Sequence, residues 1–584
     1  MRYFLFILAV VLTLCVSCSQ EGFLDQTETT DLDEATVFSD STYTTGFLTD
    51  IYTAIGFSSE PSRFGGFSGT TGGLQTASDE AEPRVSPDIT TDLQFITGTL
   101  NAVTVSDRPW GLCYTYIRKA NKFLKHLPET PLSQTRKTRF AAEARFLRAW
   151  YYAILLKHYG GVPIVGDTIY APDDEISAER NTYAEVVNYI VSEVDAAAED
   201  LTIKPINREY GRIGAGACMA LKSRVLLYAA SPLHNGTDYE APFNELLGYP
   251  SYDINRWQLA MNAALALIET NAYELYVDNN PEPGFGFYAI FNANSGTGDV
   301  RASAAQITVG TILERMSGGG AGFEQLFNPP SRGGSGGGGY PYQELVASFG
   351  MNNGMPIGDQ NPLYDAQNPY QNRDPRFYNT IIYDQSQLRN NSNNLEPVNI
   401  YLGSFNGIPA GQDAVRSGTP TGYYINKFRN RNISGNSGIT TSQERPLIRY
   451  AEILLNYAEA RNEFSGPDET VYQALELIRE RAGLNPFQLE RTLTQEEMRT
   501  LIRSERQVEF AIEGHRFWDV RRWKIASQTE NRMMTGLEVF RDGNSVEYRP
   551  FNVRKHVFRE AQYFWPIPYD EIAKSPELLQ NPLY

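Results

Sequence analysis

Apolar residues recur at three- and four-residue spacings through the middle and the end of the chain, the period of helices that bury one side. In "RKTRFAAEARFLRAWYYAILLKHYGGVPI", Ala142, Phe146, Ala149, Trp150, Ala153 and Ile154 follow that spacing, and Gly160-Gly161 ends it. One long amphipathic helix is expected there. "TYAEVVNYIVSEVDAAAEDL" repeats the period behind a Thr182 cap, and "ALKSRVLLYAASP" follows with alanines small enough for close helix approach. "WGLCYTYIRKANKF" puts Trp110, Tyr114 and Ile117 on a core face, and "RWQLAMNAALALIET", "EILLNYAEARNEF" and "TVYQALELIRERAGL" continue in the same style. Ala- and Tyr-rich helices joined by short turns predict a mainly α fold, a tetratricopeptide-like helical-repeat scaffold without a clean repeat period.

Three stretches break the pattern. Residues 60–110 are rich in Gly, Ser, Thr and Asp, residues 279–340 in Gly, Asn and aromatics, and residues 385–440 in Asn, Ser and Gly. Structureless loops of this length are uncommon in compact domains unless they bind something, so this irregular, loop-rich part is where ligand contacts are expected.

Composition narrows the partners. The 584 residues carry a formal charge of -18 at pH 7 with no Lys/Arg-rich stripe, so nucleic acid is not an expected partner. With 35 tyrosines and 30 phenylalanines, the chain is equipped to bind something amphipathic. The N-terminus, "MRYFLFILAVVLTLCVSCSQEGFLDQ", has one positive charge at Arg2 and an apolar run from Phe4 to Val16. That run is short of the roughly 20 apolar residues of a membrane span and reads as a secretory signal over residues 1–17. Ser17 precedes Cys18, the arrangement of a lipoprotein signal, although Leu14 stands one place early and Cys15 occupies the position such signals give to leucine. Cys18 is the expected lipidation site, with a cleaved secreted protein as the alternative. The other two cysteines, Cys113 and Cys218, lie in apolar helical patterns and read as small buried hydrophobes rather than a disulfide framework.

The motifs of chemistry are mostly missing. His126, His158, His234, His515 and His556 lack the spacing of a helical metal site, so neither a metal nor another cofactor is expected. "GGGAGFEQLFNPPSRGGSGGGG" has no Lys-Ser/Thr opening a helix behind it and reads as a loop rather than a phosphate cradle. No G-x-S-x-G elbow occurs. Paired carboxylates for glycoside hydrolysis stay open, because their separation cannot be read from sequence. In "RTLIRSERQVEFAIEGHRFWDVRRW", Glu505, Glu509 and Glu513 are spaced four apart while Ile502, Val508 and Ile512 form an apolar stripe. Arg506 and Glu509 can pair one turn apart, and Gly514 caps the helix before a second one starts. Alternating acids and arginines on helices read as an inter-helix charge network rather than a catalytic centre.

"AEARFLRAWYYAILLKHYGGVPI", "ALKSRVLLYAASPL", "RYAEILLNYAEARNE", "IRERAGL", "ERQVEFAIEGHRFWDVRRW" and "FWPIPYDEIAKSPELLQNPLY" resemble, in order and spacing, the signatures of the SusD/RagB family of Bacteroidota outer-membrane nutrient-binding lipoproteins. "SDEAEP", "DPRFYNTII" and "GYYINKF" are weaker echoes of the same family. The resemblance covers nearly the whole mature chain. It implies a SusD-like N-terminal region over 18–230 and a C-terminal region over 231–584, packed as one body. It also implies capture of oligosaccharides, without enzymatic activity, as a lid on a SusC-like TonB-dependent transporter in the outer membrane. Peptide capture for such a transporter, or a surface glycoside hydrolase, are the alternatives.

The family's ligand site is built from loops, so candidates come from the stretches named above. Aromatic faces that stack on C–H patches, flanked by amide, carboxylate and guanidinium groups, are what a sugar requires. Phe64, Phe67, Asp79, Glu80, Arg84 and Phe95 meet that description in the first stretch. Phe285, Phe287, Tyr288, Phe291, Asn292, Tyr340 and Tyr342 do so in the second.

Overall fold

The structure, a computed structural model, describes residues 33–64, 72–84, 90–171, 174, 179–205, 209–292, 304–316, 319–320, 322–335, 337–358, 360–434, 436, 441–442, 445–575 and 577–584. Ten helices carry the scaffold: α1 (Ser41–Tyr52), α2 (Pro109–His126), α3 (Gln134–Tyr159), α4 (Tyr183–Glu199), α5 (Ala215–Ala230), α6 (Asn255–Glu269), α7 (Tyr450–Ser465), α8 (Glu469–Arg481), α9 (Gln495–Glu509) and α10 (His515–Arg522). From α2 to α8 each helix packs on its predecessor, and α9 also packs on α7. The architecture is therefore mainly helical, as the apolar period requires.

Local sequence sets the helix ends. Thr182 opens α4 with a reciprocal capping box, its hydroxyl accepting from the Glu185 N–H at 3.2 Å while Glu185 Oε2 accepts from the Thr182 N–H at 2.8 Å. Thr494 and Glu497 repeat the device at α9. Gly514, at φ 79°, reverses the chain between α9 and α10 in the left-handed region that side chains avoid. Two residues earlier Ile512 holds φ 65°, a strained value for a β-branched residue. Its N–H donates to Glu80 Oε1 at 3.0 Å, which pins the turn.

The largest core runs from Phe38 to Leu578 and mixes both ends of the chain. At its centre Phe95, Phe517 and Trp565 form a cluster with centroids 4.6–5.1 Å apart, and Trp518 stacks on Trp565 at 5.5 Å. Cys113 and Cys218 are buried and free.

The stretches expected as long loops contain short regular pieces instead. Helical turns form at Leu74–Ala77, Thr91–Thr97, Phe285–Ile290 and Gly322–Phe327. Strands β1 (Thr311–Arg315) and β4 (Arg445–Arg449) pair antiparallel, and β2 (Leu402–Phe405), β3 (Ile408–Pro409), β5 (Met533–Asp542) and β6 (Ser545–Lys555) form a four-stranded sheet in the order β6-β5-β2-β3. Within that sheet β5 runs parallel to β2, while β5–β6 and β2–β3 are antiparallel. Packed backbone must satisfy its N–H and C=O groups, and strand pairs between distant segments do so without long helices.

A buried charge network ties scaffold to irregular part. Glu509, fully buried, accepts from Arg449 Nη1 at 2.8 Å, from Arg376 Nη1 at 3.2 Å and from Arg481 Nη2. Arg376 also reaches Glu505 at 2.5 Å and Asp374 at 2.8 Å. Glu513 takes Arg449 at 2.9 and 2.7 Å and Lys427 at 2.7 Å. On the other side of the turn, Arg506 binds Asp519 at 3.0 Å and Asn456 at 3.0 Å, and Arg522 grips Glu459 at 2.5 and 2.7 Å. The expected one-turn pair between Arg506 and Glu509 is replaced by these long-range partners, because tertiary packing presents guanidinium forks in fixed positions and a flexible neighbour on the same helix does not.

Burial alone would raise the Glu459 carboxyl; Arg522 and Arg506 outweigh that and hold it down to about 2. Arg506→Ala should leave part of this buried charge uncompensated and lower the unfolding free energy by about 3–5 kcal/mol. Urea unfolding of the variant checks it: an unchanged midpoint would mean the network contributes nothing to stability.

Candidate functional site

Nearly all the aromatic candidates face inward. Phe64, Phe95, Phe285, Phe287, Tyr288, Phe291, Tyr340 and Tyr342 are buried, as are Asp79, Glu80 and Asn292. Phe67, like Cys18, lies outside the described residues. Phe287 and Phe291 wall the charge network, with Lys427 Nζ 4.8 and 5.0 Å from their centroids and Arg481 5.1 Å from Phe287. Arg431 lies 4.1 Å over Tyr288 and 5.2 Å over Phe285, and Asn292 Nδ2 donates to Tyr288 O at 3.3 Å. Phe95 belongs to the tryptophan cluster, Tyr340 packs edge-on against Tyr424, and Phe64 packs into the main core. Buried rings with these partners offer no exposed face for stacking, so in this structure these positions serve packing.

The acids of "SDEAEP" are equally engaged. Asp79 accepts from Arg516 at 2.9 and 2.7 Å; burial would raise its carboxyl, but Arg516 outweighs it and keeps the carboxyl below the usual range. Glu82 accepts from Arg554 at 2.8 Å and from the Tyr342 hydroxyl, which lies 3.0 Å from His556 Nε2. Burial pushes His556 down to about 3, so it stays neutral. Among the described residues, Glu80 has only the Ile512 N–H on one oxygen, and Oε2 is buried with no partner. Burial drives this carboxyl up to about 8, against the pull of that N–H and with Asp79 pushing the same way.

Of the predicted residues that are described, Arg84 alone keeps partial exposure. Its Nη1 donates to Ser335 O. The turn that carries Ser335 sits against Asn436: a Cβ added at Gly333, which has φ 77°, would fall 2.3 Å from Asn436 Oδ1. Asn436 Nδ2 and Ser434 Oγ both donate to Asn391 Oδ1 at 3.2 Å. Nearby, Arg389 donates to Asn393 O at 2.8 Å and to Asn432 Oδ1 at 3.4 Å.

Beneath this surface Arg332 is buried and fixes the strand at Leu395–Pro397, donating to Glu396 O at 3.3 Å and Pro397 O at 3.2 Å. The result is a shelf on which Asn391 and Asn436 are exposed and Arg84, Arg389 and Asn432 are half-buried. Amides offer donor and acceptor side by side and guanidinia add fixed donors, a set matched to neighbouring hydroxyl groups. Sequence reasoning weighted rings and passed over these asparagines, although the Asn-, Ser- and Gly-rich composition of 385–440 marked the stretch.

Residues 308–584 match the family model described as "SusD family", and residues 74–227 match one described as "Starch-binding associating with outer membrane". Among curated relatives, SusD-like protein P2 of Formosa agariphila is 32% identical over 160 residues, which cover 26% of this chain and 28% of that protein. SusD-like protein P25 of the same organism is 31% identical over 27% of each chain, so this chain spans little more than a quarter of the length of either relative. A SusD-like protein from Bacteroides fragilis has a TM-score of 0.73 at 27% identity, covering 95% of this chain and 99% of its own. Another structure from that species, a SusD-like carbohydrate binding protein, shares the fold with a TM-score of 0.69 at 22% identity over 93% and 100% of the two chains.

Glu80 makes a pH dependence measurable. Its ordinary carboxyl value is 4.5 and its folded value about 8, so between these the unfolded chain ionises it while the folded protein keeps it protonated. Stability therefore declines as pH rises through that window and levels off above it. Glu80→Gln should remove this decline, gaining on the natural protein by on the order of 1 kcal/mol per pH unit from pH 5 to pH 8. Denaturation midpoints at pH 5, 6.5 and 8 test it; parallel pH profiles for the two proteins would refute it.

Proposed function

The chain belongs to the SusD family, and we propose on that premise that it is a cell-surface lipoprotein that captures oligosaccharides and delivers them, as a lid, to a SusC-like TonB-dependent transporter. The observation that carries the glycan reading is the shelf of Arg84, Asn391, Asn432 and Asn436. Its chemistry suits hydroxyl-rich ligands, and it stands on the irregular part of the molecule rather than among the long helices. Capture asks nothing of acid–base groups: the acids of "EGHRFWDVRRW", Glu513 and Asp519, are engaged by Arg449, Lys427, Arg506 and Arg522. Cleavage before Cys18 would leave a mature protein tethered by lipid, with residues 18–230 and 231–584 packed as one body. A tether beside the transporter would keep the lid at high local concentration there.

Among the described residues no helix is long and apolar enough to cross a membrane, so attachment in this reading rests on Cys18. Cys18→Ala expressed in the native host should move the protein from the membrane fraction to the soluble fraction. Retention in the membrane would sink the anchor.

Calorimetric titration of the mature protein against a glycan panel, with product analysis of each mixture, tests capture. Binding without cleavage is expected, and Asn391→Ala with Asn436→Ala should weaken it about tenfold, roughly 1.4 kcal/mol, at an unchanged melting temperature. Cleavage products would replace the reading with a glycoside hydrolase. Binding of oligopeptides alone would replace it with peptide capture.

A further inference from the structure

The shelf of amides and arginines carries positive charge that no acid among the described residues neutralises. Arg84 Nη1 donates to Ser335 O, an uncharged carbonyl, and its Nε and Nη2 have no acceptor among the described residues. Arg389 gives Nη1 to Asn393 O at 2.8 Å and Nη2 to Asn432 Oδ1 at 3.4 Å, while its buried Nε has no partner. Neither guanidinium forms an ion pair there. Arginines on the helical body behave otherwise: Arg108 meets Asp570 at 2.7 Å, Arg491 meets Glu469 at 3.0 Å and Arg499 meets Glu463 at 2.7 Å. In a chain of formal charge -18, two cations without acids on one surface are a local reversal of sign.

Two acids adjoin the shelf without reaching these arginines. Asp413 is buried beside the Arg332 turn and accepts from the Ser331 N–H at 2.8 Å and from the Ser331 hydroxyl. Glu396 stands opposite Leu388 rather than Arg389 in the strand pair, and accepts from Asn390 Nδ2 at 2.7 Å. The amides tip the balance the same way. Asn391 Oδ1 is shared between Ser434 Oγ and Asn436 Nδ2, and Asn432 Oδ1 takes Arg389, whereas Asn391 Nδ2 and Asn432 Nδ2 have no acceptor among the described residues. The surface therefore offers more donors than acceptors. Carboxylates and sulfates only accept, so they match it better than hydroxyl groups alone.

We propose, resting on the glycan-capture reading of this shelf, that it selects oligosaccharides bearing carboxylate or sulfate groups, with Arg84 and Arg389 as the anion contacts. Contacts run from Arg84 through the Ser335 turn to Asn436 and on to Asn391, two residues along the chain from Arg389. The amides meet hydroxyls of the ligand while the guanidinia take its charged substituents, in charge-assisted hydrogen bonds that a neutral sugar cannot return. The acidic remainder of the surface repels the same ligand, which confines it to the shelf.

Calorimetric titration of the mature protein with oligogalacturonates, sulfated galactan oligosaccharides and their carboxyl-reduced or desulfated counterparts tests the selection. At least one acidic series should bind about tenfold tighter than its neutral counterpart. Its affinity should fall steeply from about 0.1 M to about 1 M salt, as the screening length shrinks from about 10 Å to about 3 Å. Preference for the uronate or for the sulfate series identifies the anion. Arg84→Gln with Arg389→Gln should bring the acidic ligand down to the affinity of its neutral counterpart. Should that double variant fail to fold, Arg84→Gln alone must lower the preference about threefold. Equal affinity for acidic and neutral counterparts, binding of the acidic series that ignores salt, or a preference undiminished in Arg84→Gln would each overturn the selection while glycan capture stands. Silence toward every glycan would overturn both.

Discussion

A carboxylate buried among three guanidinia governs this structure. Glu509 alone in the interior would be prohibitively unfavourable as an ion; with Arg376, Arg449 and Arg481 on it, burial is offset and the carboxyl is held far below its ordinary value. Each guanidinium belongs to a different piece of the molecule: Arg481 to α8, Arg449 to the end of β4, and Arg376 to the short helix at Pro375–Thr380. Guanidinium forks are directional in a way that apolar contacts are not. Their common acceptor therefore fixes how the irregular half of the chain is oriented on the helices.

That constraint explains the division of labour between the two halves. Rings that look like a stacking platform are drawn inward because a buried cation network needs walls, and Phe287 and Phe291 supply π-faces to Lys427, Arg449 and Arg481. On the proposed reading, ligand contact falls to the layer above, where asparagine side chains and half-buried arginines stand on turns, loops and a strand end beside the strand held by Arg332. On that reading, a rigid base beneath an adaptable polar surface would let ligand preference change without disturbing the body.

The helices were readable from sequence because their signals are local. Thr182 with Glu185, the stop at Gly160 and the turn at Gly514 each act within a few residues, and the structure places them accordingly. Partners far apart in the chain were not readable. Arg506 and Glu509 sit one turn apart and look like a pair, yet each is taken by groups 13 to 133 residues away. The same blindness hid the burial of the candidate rings: an aromatic residue in a Gly-rich stretch looks identical whether it faces water or a cation. Composition alone pointed at 385–440, and nothing local distinguished Asn391 or Asn436 from their many neighbouring asparagines.

The link between Asp79 and Arg516 joins residues 437 positions apart, and that between Glu82 and Arg554 joins residues 472 apart. A growing chain thus holds the acids of "SDEAEP" without counter-ions until its last seventy residues or so exist. Early burial of those acids is unfavourable, so the N-terminal part cannot close ahead of time. Closure of the segment that carries those acids therefore waits on residues near the end of the chain, whatever has folded in between.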